Sequence, residues 1–192
     1  GHEAIVRRLI SAGADVELSS SIGLTPLMAA AATNRYGCAA ALLEAGADVN
    51  HEVNCDNVNG LRALHLAIII HCSPEFVRLL VTHGADVNTV AREPTRESTP
   101  LSLAFDNDYP PNILDPDAGK RYFLNKHSVA FMLLRAGADV SHLFETRPHL
   151  ASPVSLACRL STVRHLYYVA AVNKAGGFAA YANNRQCQLL TI

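Results

Sequence analysis

Tryptophan is absent from this 192-residue chain, and phenylalanine and tyrosine together supply only 6% of it. A core without large rings has to be built from Ala, Leu, Val and Ile, which pack closely where short helices stack. Charge is sparse too, at 17% of residues, and the net charge is −1. Nucleic acids and anionic membranes both demand a basic field, so neither is expected as a partner. Long apolar runs are missing. Pro26–Ala32 and Ala63–Ile70, the latter broken by His65, fall far below the ~20 residues of a membrane-spanning helix, so no membrane insertion is expected. No amino-terminal basic-then-apolar segment has the form of a signal peptide. The five cysteines, Cys38, Cys55, Cys72, Cys158 and Cys187, are odd in number and none is paired as C-x-x-C. They predict reduced thiols in an intracellular, cytoplasmic chain, not a disulfide framework.

What the chain does have is self-similarity. Gly-Ala-Asp-Val occurs four times, at Gly13–Val16, Gly46–Val49, Gly84–Val87 and Gly137–Val140, in steps of 33, 38 and 53 residues. A second string alternates with it: Thr25-Pro26-Leu27-Met28-Ala29-Ala30, then variants beginning at Arg62, Thr99 and Ser152. Thr or Ser before Pro is a helix start, because the hydroxyl caps the first turn and proline at N1 has no N–H to leave unsatisfied. A second helix follows with 3.6-residue periodicity, as in Ile5, Leu9 and Ile10, or Val77, Leu80 and Val81. Each repeated glycine closes that helix at C′, where positive φ is cheap for glycine. Ala-Asp-Val then enters an extended hairpin.

These motifs closely resemble the ankyrin-repeat family, whose period is about 33 residues with T-P-L-H-x-A and two helices per unit. The resemblance implies an all-α fold, an ankyrin solenoid of helix-turn-helix pairs with β-hairpin fingers. It implies binding of another protein by a monomeric module with no chemistry or cofactor of its own. Residues 1–150 are expected to hold the repeats. The first is partial, since Gly1–Val6 matches a second-helix start, and the chain is expected to be an excerpt of a longer protein. A long insertion is expected at 106–126, where Pro110, Pro111 and Pro116 forbid helix. Residues 151–192 are expected to form a divergent fifth unit plus a capping helix.

Residue patterns that carry chemistry are few. Nine histidines do not fall into zinc-finger intervals with the cysteines. The aspartates at 106, 108, 115 and 117 lack EF-hand spacing. G-x-S-x-G, H-E-x-x-H and the Walker glycine loop are all absent. No catalytic, metal or cofactor residue is therefore expected. A SOCS box needs a spacing around cysteine that neither Cys158 nor Cys187 has. His65 matches the histidine of the family motif, and its expected role is hydrogen bonding between units.

Three sets of residues are candidates for function, all through the resemblance. In this family the positions before the Thr-Pro site and at the end of the first helix face the concave groove. Here these are Ser21, Ile22, Leu24, Ala32 and Thr33, then Val58, Asn59, Leu61, Ile69 and Ile70, then Arg96, Ser98, Asp106 and Asn107. Such positions are usually polar, so Ile22, Leu24, Leu61, Ile69 and Ile70 form a candidate apolar patch. The alternative is that the unit Arg62–Gly84, one residue longer than the unit before it, rotates Ile69 and Ile70 into the core. The hairpins at 50–60, 88–98 and 141–151, with Arg92 and Arg96, form a candidate polar rim. Asn50 and Asn88, each with a leucine eight residues before, resemble substrates of an asparaginyl hydroxylase; the alternative is a structural asparagine at the hairpin turn. The expected function is a scaffold or adaptor, or else a regulatory or substrate-recruiting segment of a larger enzyme such as a ubiquitin ligase or kinase.

Overall fold

The computed structural model describes residues 2–55, 58–93, 96–105 and 128–139. Six helices and four short strands are bounded within them: α1 Glu3–Ser11, α2 Pro26–Ala32, α3 Tyr36–Glu44, β1 Val53–Cys55, β2 Val58–Leu61, α4 Ala63–Ile69, α5 Pro74–Thr82, β3 Ala91–Glu93, β4 Arg96–Ser98 and α6 Pro100–Phe105. Residues 128–135 are helical and are called α7. The expected insertion at 106–126, the hairpin at 141–151 and the unit over 151–192 lie outside the described residues.

The helices stack as two layers. In the inner layer α2 lies on α4 and α4 on α6, while α3 and α5 back their own inner helices and α1 lies on α3. The cores of these contacts are Leu27, Met28, Leu64, Phe76, Leu80, Leu101 and Leu133, all 0–1% exposed. Alanines fill the tightest places, with Ala31, Ala39 and Ala67 fully buried. That is how a chain so poor in aromatics reaches interior density: helices faced with small residues approach closely, and leucines fill the gaps between layers.

The helix starts follow the repeat. Thr25 Oγ1 accepts the Met28 N–H at 3.3 Å, with Pro26 inside the first turn. Thr99 and Ser102 cap reciprocally, each hydroxyl accepting the other's N–H at 3.1 and 2.9 Å. In the second unit Arg62 replaces the hydroxyl residue, and His65 Nδ1 accepts the Arg62 N–H at 3.2 Å. The four repeated glycines end the outer helices with φ between +83° and +93°.

The two described hairpins, β1–β2 and β3–β4, join edge to edge into one antiparallel sheet of order β1-β2-β3-β4. The join is made at Asn59 and Arg92. Gly60 is essential to it. Its φ is +74°, and a Cβ there would sit 2.7 Å from the Val90 carbonyl oxygen. The connection from Gly13 to Thr25, expected as a hairpin, differs: it forms turns and no strand. Glu17 stands there where the later units have Asn50 and Asn88, and its side chain accepts the Asp48 N–H at 2.8 Å.

Candidate functional site

The groove candidates sit at the carboxyl ends of the inner helices. Thr33 and Ile70 are the C-caps of α2 and α4, each eight residues after its N-cap. The next residues, Asn34 and His71, both take positive φ, 52° and 56°. The chain then closes back in the same way twice: the Arg35 N–H donates to the Ala30 oxygen at 2.9 Å, and the Cys72 N–H to the Ala67 oxygen at 2.8 Å. Up to this point the two units are in register.

The extra residue of the longer unit comes after it. Arg35 is itself the N-cap of α3, whereas Cys72 is followed by Ser73, the N-cap of α5. The surplus residue is thus Cys72. It is buried, its Sγ donates to the Ala31 oxygen at 3.3 Å, and burial pushes its thiol up to about 11. Because the turn absorbs the insertion, α4 is not rotated. Ile69 is 43% and Ile70 46% exposed, and Ile22 is 63% exposed. Leu24 and Leu61 are half-buried against the core. The preceding unit has Ala32 and Thr33 at the positions of Ile69 and Ile70. Asn59 and Thr33, polar members of this set, are exposed. Val58 and Arg96 lie on β2 and β4; Asp106 and Asn107 lie outside the described residues.

The hairpins carry mixed charge. Arg92 Nε donates to Glu97 Oε1 at 3.0 Å across β3 and β4, both side chains being largely solvated. Arg62 is the better-buried cation, pairing with Glu52 and, at 3.6 Å, with Asp86. Behind it lies His65, fully buried. Since Nδ1 accepts from Arg62, Nε2 carries the proton and faces Thr89 Oγ1 at 3.4 Å. Burial pushes the imidazole down to about 4, and the Arg62 charge adds to that.

Asn50 and Asn88 are engaged at both ends of their amides. Asn50 Nδ2 donates to the Gly84 oxygen at 2.9 Å and Asn50 Oδ1 accepts the Asp86 N–H at 2.9 Å. Asn88 repeats this with the Gly137 oxygen at 3.1 Å and the Asp139 N–H at 2.7 Å. Each asparagine therefore clamps its hairpin to the next Gly-Ala-Asp. Sequence spacing places these residues but gives no sign of the clamp, because the partners lie 34 to 51 residues away.

Cys38 and Cys72 are free and buried. Among the described residues, no group of three or more His, Cys, Asp or Glu is placed to hold a metal ion. No helix among them is long and apolar enough to cross a membrane.

The family model described as "Ankyrin repeats (3 copies)" matches residues 1–53, and the model "Ankyrin repeat" matches 59–92. Mouse "Ankyrin repeat and SOCS box protein 6" is 47% identical over 66 residues, which is 34% of this chain and 14% of that protein. The human protein of the same name is 48% identical over 63 residues, 33% of this chain and 14% of that protein. Human "B-cell lymphoma 3 protein" is 33% identical over 105 residues, 55% of this chain and 22% of that protein. The chain thus spans under a quarter of the length of each of these relatives.

Proposed function

The chain belongs to the ankyrin-repeat family, whose repeats are in general protein–protein interaction modules without catalysis, and from that premise we propose that it is a scaffold or adaptor. It binds a partner protein along the groove at the ends of α2, α4 and α6, with the hairpins as a polar rim. The observation that carries this reading is the exposure of two adjacent isoleucines, Ile69 and Ile70. Their equivalents in the preceding unit are small or polar. The fold does not require them to be apolar, and burying them elsewhere would gain hydrophobic free energy. The partner presents the apolar face of a helix or an extended peptide to Ile22, Leu24, Leu61, Ile69 and Ile70, and polar groups to Thr33, Asp106 and Asn107. The module acts as a monomer inside the cell, in the cytoplasm, where thiols such as Cys38 and Cys72 stay reduced.

Likeness to relatives whose name includes a SOCS box favours one second reading. In it this chain recruits a substrate to a ubiquitin ligase, using the same groove as the recruiting surface. Affinity capture with the 192-residue chain, followed by mass spectrometry, tests both. Partners lost on Ile70→Asp are groove partners; ligase subunits retained on that variant while another protein is lost favour the recruiting reading. Capture unaffected by Ile70→Asp removes the groove from both. Arg92→Ala with Arg96→Ala is expected to reduce the salt dependence of binding, and an unchanged dependence removes the hairpins from the interface.

A further inference from the structure

Asn59 is followed by Gly60, and no other asparagine of the chain precedes a glycine. The pair falls where the first hairpin is irregular. Val53 faces Leu61 and Cys55 faces Val58, so Asn59 and Gly60 together stand opposite the single residue Asn54. That is a β-bulge, where the ladder is locally interrupted. Gly60 has φ +74° and no Cβ to shield its amide nitrogen. Asn59 is exposed, so its side chain has room to turn towards that nitrogen. Asn50 and Asn88 differ on both counts. Each amide is held at both ends by the next unit, and the residues that follow them are His51 and Thr89.

Asn59 is also the residue through which the two hairpins join. Its partner on β3 is Arg92, and Arg92 in turn faces Glu97 on β4. Directly opposed residues share one face of a sheet. Asn59, Arg92 and Glu97 therefore form a row across the strands, with Arg92 Nε donating to Glu97 Oε1 at 3.0 Å. A carboxylate in place of the Asn59 amide would put Arg92 between two acids.

We propose that Asn59 is a site of spontaneous deamidation, and that the reaction releases the join between the hairpins. The Gly60 nitrogen gives its proton to solvent base and bonds to Asn59 Cγ. The Cγ–Nδ2 bond breaks, and that nitrogen leaves as ammonia with a proton taken from water. Water then opens the cyclic imide. Opening at Cγ yields aspartate, which keeps the backbone and competes with Glu97 for Arg92. Opening at the main-chain carbonyl yields isoaspartate, which adds a methylene to the chain. The added atom shifts Gly60 out of step with Val90, whose carbonyl oxygen already lies 2.7 Å from the place of a Cβ there. The site and its chemistry stand apart from the groove, since no partner protein enters them.

The test ages the 192-residue chain in mildly alkaline buffer and maps its peptides by mass, with isoaspartyl methyltransferase marking isoaspartate. Asn59 should convert at least about tenfold faster than Asn50 or Asn88, because a glycine nitrogen is the least shielded. The aged chain should lose amide hydrogen-exchange protection in β2 and β3 while the helices keep theirs. Asn59→Asp, which copies the charge without the extra methylene, should retain that protection. Asn59→Gln should remove the methyl label, since ring closure through a longer side chain is slow. Three results would each overturn the inference: label that persists in Asn59→Gln, an Asn59 that stays intact in the folded chain while converting in urea, and an isoaspartyl chain with full protection of β2 and β3.

Discussion

His65 Nε2 lies 3.4 Å from Thr89 Oγ1, and this contact fastens helix α4 to the strand-bearing segment that follows it. Thr89 in turn donates to the Asp86 oxygen at 3.3 Å. A neutral imidazole satisfies the arrangement: Nδ1 takes the Arg62 N–H and Nε2 gives its proton to Thr89. A second proton would put it on Nδ1, facing the N–H it accepts, in a fully buried site beside the Arg62 charge.

The consequence is a pH dependence of stability. In the unfolded chain His65 takes up a proton near its ordinary 6.5, whereas in the fold it does so only at about 4. Between those values the unfolded state binds more protons, so stability rises with pH and is lost as pH falls. The loss begins near pH 6.5 and reaches about 3 kcal/mol by pH 4. Histidine ring resonances followed by NMR should show the His65 imidazole titrating at about 4. Urea unfolding of His65→Gln should show a shallower slope across pH 4 to 6.5. A His65 ring that titrates at its ordinary value would refute the mechanism.

Asn50 and Asn88 are expected to be worth more than surface polar residues. Removing either side chain by Asn→Ala breaks two hydrogen bonds between units and should cost about 1–2 kcal/mol in urea unfolding. Asn88→Asp should cost at least as much, because the carboxylate meets the Gly137 carbonyl oxygen where the amide donated. Glu17 provides the complementary test. It accepts the Asp48 N–H but has no donor for the Gly46 oxygen. Glu17→Asn should complete the clamp and raise stability by about 0.5–1 kcal/mol.

Much of this fold is legible in the sequence because its signals are local. Thr25 with Pro26, and Gly46 with φ of +91°, do their work within one turn of chain, so the residue type announces the geometry. The family is legible for the same reason, repeated four times. The candidate site is harder. Counting residues assigns one surplus position to Arg62–Gly84 but not its place; only the backbone at His71 and the Ala67–Cys72 bond put it at Cys72. The replacement of the Thr cap by His65 at Arg62 and the asparagine clamps also escape a linear reading. The clamps join groups whose proximity depends on how one unit settles on the next, whereas the His65 cap is local but has no hydroxyl at Arg62 to announce it.

Gly60 and Gly13 should respond differently to alanine, although both have positive φ. At Gly13 a Cβ meets open space, so Gly13→Ala should cost only the backbone strain, about 1 kcal/mol. At Gly60 the Cβ would press on the Val90 carbonyl between two hairpins. Gly60→Ala should cost about 2 kcal/mol or more, and the amides of β2 and β3 should lose hydrogen-exchange protection before those of the helices. Equal costs at the two sites would mean that the hairpins move apart freely.

Ile70 decides whether the groove binds. As the C-cap of α4 it has φ −80° and ψ 0°, and nearly half of its surface faces solvent. The same position one unit earlier is Thr33, whose Oγ1 donates to the Ala29 oxygen at 2.8 Å. The fold therefore accommodates a polar residue here, and Ile70→Thr should change stability by less than about 0.5 kcal/mol. Ile70→Asp adds an unfavourable charge at a helix carboxyl end, up to about 1 kcal/mol. The informative variant is then Ile69→Ala with Ile70→Thr, which copies the preceding unit. It should melt within a few degrees of the parent chain yet lose the partner captured by that chain. Retained capture would assign the isoleucines no role in binding. Unfolding of the double variant would make them part of the core, against their exposure.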